Sequence, residues 1–103
     1  MQENTSGAGS VYYINMSMPF AAGEVILGDS GICAKNVTIH VVSVDGTDTH
    51  EAITDFFGDF RVDGLMPRKI YTFTIEMENY LPFQCDAVIN GGVNLGEIVL
   101  SHI

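Results

Sequence analysis

Basic residues are scarce in this 103-residue chain. Only Lys35, Arg61, Arg68 and Lys69 are basic, against 13 acidic residues, and the formal net charge is −9. Because phosphate recognition needs a positively charged surface, the composition argues against nucleic acid and anionic membranes as partners. The acidity favours solubility and opposes self-association, so we expect the isolated domain to be a monomer.

Paired cysteines are also missing. Cys33 and Cys85 lie far apart in the sequence and no CxxC pair occurs, which argues against a zinc site or an iron–sulfur cluster, so we expect no cofactor in this chain. The spacing leaves open either one disulfide or two buried or half-buried thiols. His40, His50 and His102 have no second ligand at a suitable spacing, and we expect all three to be solvated.

Long hydrophobic runs are absent as well. No apolar stretch approaches the ~18 residues of a membrane helix. Residues 1–10 are small and polar, and they lack the basic start and apolar run of a signal peptide. We predict a flexible linker over 1–10 and a single domain over 11–103, which is long enough to bury roughly two thirds of its unfolded surface.

Catalytic groupings are not found either. No serine lies in a nucleophile elbow, neither cysteine has a neighbouring base, and Gly91-Gly92 lies between strands rather than before a helix. The chain is therefore not expected to be an enzyme. Carboxylates gather at turns, where Asp satisfies backbone groups, and a weak calcium site there is the alternative. These carboxylates belong to Asp29, Asp45, Asp48, Asp55, Asp59 and Asp63.

What the sequence does show is the alternation of apolar and polar residues that is typical of strands. The alternation is clearest over 70–78, and no helical period of about ten residues occurs. Turn signals recur about every 8 to 12 residues. We therefore predict an all-β, seven-stranded Greek-key β-sandwich. The predicted strands are 11–27 with a break at Pro19, 36–44, 49–54, 59–63, 70–78, 81–89 and 93–100, with hairpins at 45–48 and 90–92.

Residues 54–65 are predicted to form the element around which the other strands are arranged. Asp55 and Gly58 bracket a tight turn, because Asp bonds to nearby backbone and Gly accepts a positive φ. Phe60 and Val62 then alternate with charged residues. This pattern predicts a short central strand whose apolar face lies in the core.

Two apolar groups do not fit this scheme. Residues 11–18 are apolar on both alternating faces, and Phe56 and Phe57 stand together in a turn. Such residues either plug the ends of the sandwich or contact a neighbouring domain or subunit. The candidate interaction residues are Tyr12, Ile14, Met16, Met18, Phe56 and Phe57.

The order of these elements resembles the scheme of the carboxypeptidase regulatory-like domains, which have a prealbumin-like sandwich fold. The likeness spans residues 20–100, and it implies the fold more strongly than any function. At the last matching position Asn79 replaces the glycine of the family's Gly-Tyr corner. The matching residues are Gly23, Val25, Ala34, Val37, Thr54, Asp55, Gly58, Phe60, Gly64, Leu65, Tyr71, Phe73 and Tyr80.

A narrower resemblance is to the C-terminal domain of iron–sulfur subunits of molybdopterin oxidoreductases, such as the transhydroxylase β subunit. It rests on residues 11–13, 19–23, 57–60 and 93–98. It implies a non-catalytic accessory domain that docks onto the other domains of its parent protein or onto a catalytic subunit. The cluster cysteines of such a subunit would lie outside this chain. The alternative is a stand-alone extracellular module that binds protein or carbohydrate.

Two other groups with this kind of sandwich fit less well. Transthyretin-like hydrolases of the urate pathway end in Tyr-Arg-Gly-Ser, whereas this chain ends in Leu-Ser-His-Ile. Adhesin modules that are cross-linked by an isopeptide carry a lysine on their first strand, and residues 11–27 contain none.

Overall fold

The computed structural model describes residues 19–103, and the regular structure of this part of the chain consists of strands alone. A three-stranded sheet has the order β4-β1-β7, and a four-stranded sheet has the order β3-β2-β5-β6. The predicted seven-stranded all-β sandwich is therefore confirmed. Residues 19–103 include no helix that could span a membrane. The strands are β1 Phe20–Leu27, β2 Thr38–Ser43, β3 Thr49–Ile53, β4 Asp59–Val62, β5 Lys69–Ile75, β6 Phe83–Ile89 and β7 Gly92–Leu100.

The hydrophobic core lies between the two sheets and is built from alternate residues of the strands. In β5 the side chains of Tyr71, Phe73 and Ile75 are fully buried, as their alternation predicts, whereas Met77 lies beyond the strand and is half-buried. Leu65 returns to the interior after the turn that follows β4. The remaining buried apolar residues are Ala21, Val25, Ala34, Val37, Ile39, Val41, Phe60, Val62, Ile89, Ile98 and Leu100.

The central strand of the three-stranded sheet is β1. It pairs antiparallel with β4 and parallel with β7, so β4 is an edge strand and its predicted central position is wrong. Alternation shows which face of a strand is dry, but it says nothing about the strand's lateral neighbours. The inward direction of Phe60 and Val62 is confirmed, because both are buried.

Gly23 allows a close approach between β1 and β4. A Cβ atom at Gly23 would lie 2.9 Å from the ring of Phe60, so the missing side chain leaves room for that ring. The pairing of β1 with β7 shifts between Ala22 and Glu24. The extra residue of this bulge belongs to β7, where Gly96 has a φ of +72°.

The two predicted hairpins have different outcomes. The turn over 45–48 joins the antiparallel strands β2 and β3 as a hairpin, and β3 is an edge strand. The turn over 90–92 does not form a hairpin, because β6 and β7 belong to different sheets. Gly91 has a φ of +121°, and the chain leaves one sheet there so that β7 can pair with β1. The predicted linker over 1–10 and the predicted strand over 11–18 lie outside the described residues.

Candidate functional site

The loop between β3 and β4 is a tight turn that Asp55 closes. One carboxylate oxygen, Oδ1 of Asp55, accepts the N–H of Phe57 at 2.9 Å and the N–H of Asp59 at 3.0 Å. The N–H of Gly58 donates to the carbonyl of Asp55 at 3.0 Å. These bonds fix the backbone on both sides of the two phenylalanines, as expected for an Asp at the first position of a turn.

Both ends of this turn are attached to the sandwich. The buried hydroxyl of Thr54 accepts the N–H of Val37 at 2.9 Å, and the N–H of Thr54 donates to the carbonyl of Val37 at 2.9 Å. At the other end the carbonyl of Gly58 accepts the N–H of Val25 at 2.8 Å. A Cβ atom at Gly58 would lie 2.6 Å from the carbonyl oxygen of Val25, so only glycine fits there.

The rigid turn presents Phe56 and Phe57 to solvent, with 80% and 71% of their surface exposed. Ile32 is 63% exposed and precedes Cys33, whose Cβ lies 3.1 Å from the position a Cβ would take at Gly58. The loop that carries Ile32 is thus packed beside the turn. We call Ile32, Phe56 and Phe57 the aromatic turn patch. Neither phenylalanine plugs the end of the sandwich.

The groups beside the aromatic turn patch favour contact over chemistry. The ammonium of Lys35 lies 5.4 Å from the centroid of the Phe56 ring, within the range of a cation–π interaction. The thiol of Cys33 donates to the carboxylate of Glu24 at 3.5 Å. Burial, and then the Glu24 carboxylate, raise the pKa of Cys33. The thiol therefore stays protonated near neutral pH and is a poor nucleophile.

Both cysteines are free, which decides between the two states that the sequence left open. Cys33 and Cys85 are half-buried thiols rather than a disulfide. Burial, followed by the charge of Asp86, raises the pKa of Cys85. Neither thiol has the lowered pKa that reactive cysteines show.

The turn carboxylates bond to the protein itself. Asp48 accepts hydrogen bonds from the Tyr71 hydroxyl and from the ring of His50, and these bonds lower the pKa of Asp48 in that order. Asp45 accepts a bond from Lys69 at 2.6 Å, which is the main reason that the pKa of Asp45 is also lowered. Residues 19–103 contain no group of three or more His, Cys, Asp or Glu that could hold a metal ion. The structure thus gives no support to the calcium alternative.

The three histidines do not all behave as expected. His40 lies on an exposed face, 3.3 Å from the carboxylate of Glu51. His102 packs edge-on against Tyr80 at the end of the chain. His50 is half-buried, 2.9 Å from Asp48 and edge-on to Tyr71, so the expectation that it is solvated is wrong. The inward alternation of β3 places it against the buried Tyr71.

Two of the six candidate interaction residues, Phe56 and Phe57, lie together on the described surface. The other four, Tyr12, Ile14, Met16 and Met18, lie outside the described residues. The sequence interpretation missed Ile32, because its loop is distant in sequence and meets the turn only through the fold. An isoleucine directly after the Gly28–Gly31 turn was the available signal.

The comparisons with known proteins concern the fold. No family model matches the sequence, and no significant match was found among curated proteins. A type II cohesin–X–dockerin complex from Acetivibrio cellulolyticus, solved as an interface mutant, has a TM-score of 0.61 at 20% identity, covering 79% of this chain and 56% of that chain. The shaft pilin SpaA from Lactobacillus rhamnosus GG has a TM-score of 0.68 at 10% identity, covering 90% and 50%.

A third similar structure is a putative carbohydrate-binding protein from Bacteroides uniformis, with a TM-score of 0.58 at 16% identity, covering 79% of this chain and 40% of that chain. Enzymes are also among the structures with this fold. The chain spans only about half the length of the first two neighbours. At these identities the likeness shows the fold, a prealbumin-like or immunoglobulin-like sandwich, and none of these neighbours supports the narrower resemblance to iron–sulfur subunits.

Proposed function

We propose that this chain is a non-catalytic binding module, that its partner is a protein, and that the aromatic turn patch is the contact surface. The observation that carries the proposal is the fixed exposure of two adjacent phenylalanines on a turn that Thr54, Asp55 and Gly58 hold in place. Exposed apolar groups of this kind are typical of interaction sites.

The energetics favour coverage of these rings by a partner. If each phenylalanine contributes roughly 150 Å² of apolar surface, covering both would be worth about 7.5 kcal/mol at ~25 cal/mol per Å². Part of that gain is lost to the entropy cost of association. Because the turn is already ordered by its hydrogen bonds, little further entropy is lost when it binds.

A protein suits the aromatic turn patch better than a carbohydrate does. The side chains of Ile32, Phe56 and Phe57 carry no hydrogen-bonding group, whereas a sugar brings many hydroxyls that need partners. Aromatic residues at the centre of a contact are characteristic of protein interfaces. The cohesin–X–dockerin neighbour is itself a protein complex, and this supports the proposal by analogy of fold.

The accessory domain of an iron–sulfur electron-transfer subunit is the second candidate. It is favoured by the residue-level resemblance over 57–60 and 93–98, and the apolar residues 11–18 would form part of its docking surface. We rank it below a stand-alone, extracellular binding module, because the neighbours with this fold include other kinds of binding proteins. Cluster-binding cysteine motifs encoded upstream would place the accessory domain first. A secretion signal encoded there would instead support the extracellular binding module.

Site-specific photo-crosslinking in the native host tests the proposed function. A benzophenone amino acid replaces Phe57 in the full-length protein, and the matched control carries it in place of Glu51, which is exposed on β3 of the four-stranded sheet. We expect one dominant protein adduct from position 57 and none from position 51. Equal adducts at both positions, or a glycan adduct at position 57, would refute a protein-binding patch.

A further inference from the structure

Arg68 occupies a backbone conformation that its side chain disfavours. Pro67 and Arg68 are the central residues of a turn from Met66 to Lys69, and Arg68 has a φ of +65°. A proline followed by a residue with positive φ is the arrangement of a type II turn, which favours Gly or Asn at the position directly after the proline. The other non-glycine residues with positive φ in the described chain are both asparagines, which tolerate this conformation. An arginine here costs backbone energy, and such strain is often kept for a functional reason.

Beside Arg68 lies a row of exposed apolar side chains on the outward face of the four-stranded sheet. The N–H of Val44 donates to the carbonyl of Ile70 at 2.8 Å, and Ile70 lies opposite Val88 in the β5–β6 pairing. The three side chains are 62%, 45% and 57% exposed. We call Val44, Ile70 and Val88 the apolar row. It crosses three strands, a width of about 10 Å, which equals about three residues of an extended peptide.

A cleft of about 320 Å³ joins Arg68 to the apolar row, and it is lined by Ser43, Val44, Asp45, Arg68, Lys69 and Ile70. The charges of Asp45 and Lys69 cancel, because these residues form an ion pair at 2.6 Å. Among residues 19–103 no carboxylate pairs with Arg68. Within the described part of the chain, the cleft therefore carries one uncompensated positive charge, although the net charge of the protein is −9.

We propose that this cleft binds a short extended segment of a partner protein in which apolar residues stand next to an Asp or Glu. The apolar side chains lie on the apolar row, and the carboxylate accepts paired hydrogen bonds from the Arg68 guanidinium. The surface is independent of the aromatic turn patch. Thr54, next to the aromatic turn patch, bonds to Val37 just before β2, whereas Val44 of the cleft follows the other end of β2. The six residues of β2 separate Val37 from Val44 by roughly 20 Å.

Amide chemical shifts of the isotope-labelled full chain test this proposal. The probes are the peptide acetyl-Ser-Leu-Val-Leu-Glu-amide and its twin with Gln in place of Glu. We expect saturable shifts confined to residues 43–45, 68–71 and 86–89. The Gln peptide is expected to bind roughly tenfold more weakly, because it loses a charge-assisted hydrogen bond.

Variants of Arg68 and Arg61 test whether the preference for Glu depends on the Arg68 side chain. Arg68→Gly is expected to abolish the preference for Glu over Gln without lowering the melting temperature, because glycine suits the positive φ. The matched control Arg61→Gln removes one positive charge from the other sheet and is expected to keep the preference. A structural role alone would instead lower the melting temperature of Arg68→Gly and leave the preference unchanged.

Several outcomes would overturn the proposal. These are the absence of saturable shifts at millimolar peptide, shifts at the aromatic turn patch instead of the cleft, or equal affinities for the two peptides. If the peptide displaces residues 1–18 of the chain from the cleft, seen as shifts of their own amides, the occupant is internal and the partner is excluded. The result does not depend on the crosslinking at Phe57, because the two surfaces share no residue.

Discussion

At the scale of single residues, the ring of Phe60 packs into the space that is free because Gly23 has no side chain. The ring lies where a Cβ at Gly23 would come within 2.9 Å, and it is only 4% exposed although β4 is an edge strand. Phe60→Ala should lower the free energy of unfolding by about 3 to 5 kcal/mol, through lost burial and a residual cavity. Denaturant unfolding measures this loss. A change below about 1 kcal/mol would show that the ring is not a core side chain.

The hydrogen bond between Tyr71 and Asp48 predicts how the stability of the fold depends on pH. The Tyr71 hydroxyl accepts the N–H of Met66 and donates to the carboxylate of Asp48. The bond from Tyr71 to Asp48 is the largest cause of the lowered pKa of Asp48. Because the folded pKa lies below the ordinary value of 3.8, the carboxylate stabilises the fold above that pH. Its contribution is lost as the pH falls through the folded pKa.

Tyr71→Phe removes this hydrogen bond, and the variant should be less stable than the wild type at pH 7. The difference should begin to narrow below about pH 4, where Asp48 of the unfolded chain binds a proton, and it should vanish below the lowered pKa, where Asp48 of the folded wild type is protonated as well. Urea unfolding of both proteins at pH 7 and near pH 3 measures the two differences. A stability difference that stays constant with pH would show that the hydroxyl acts independently of the Asp48 charge.

At the scale of elements, a comparison of two turn glycines distinguishes the free-energy cost of backbone strain from the cost of a steric clash. Gly46 and Gly58 have nearly equal φ values of +78° and +77°, but a Cβ at Gly46 meets nothing within 4 Å, whereas one at Gly58 meets the Val25 carbonyl at 2.6 Å. Gly46→Ala should therefore cost about 1 kcal/mol from the backbone alone. Gly58→Ala should cost roughly 1 to 3 kcal/mol more, because the turn must move away from β1. Equal losses in thermal unfolding would mean that the turn is not held against β1.

The sequence predicted the direction of side chains better than the neighbours of strands. Tyr71 and Phe73 are buried as their alternation indicates, because the period of two is a local property of the chain. Sheet order is set by distant segments. The pairing of β7 with β1 therefore could not be read from the turn over 90–92, which signals only a change of direction.

The candidate surfaces show the same limit. Phe56 and Phe57 were identified because aromatic residues are unusual in a turn, and the structure leaves them exposed. Ile32 was missed, and so was the apolar row, because its members become neighbours only through strand register. The Pro67-Arg68 sequence was the one local signal, since a type II turn favours glycine or asparagine after its proline.

At the scale of the whole domain, the residues that hold the fold together are distinct from those that are available for binding. In the stretch 54–60 the side chains of Thr54, Asp55 and Phe60 point into the turn or the core, and Gly58 gives room to β1. Phe56 and Phe57 take no part in that framework. The turn can thus carry a contact surface whose side chains can change without loss of the sandwich.

The most direct test of this separation is the free energy of unfolding of the Phe56→Ser/Phe57→Ser double variant, measured by denaturant titration beside the wild type. Because both rings are mostly exposed, we expect a change within about 0.5 kcal/mol. A loss of about 2 kcal/mol or more would contradict it, since the two phenylalanines would then be part of what holds the sandwich together rather than a surface kept for a partner.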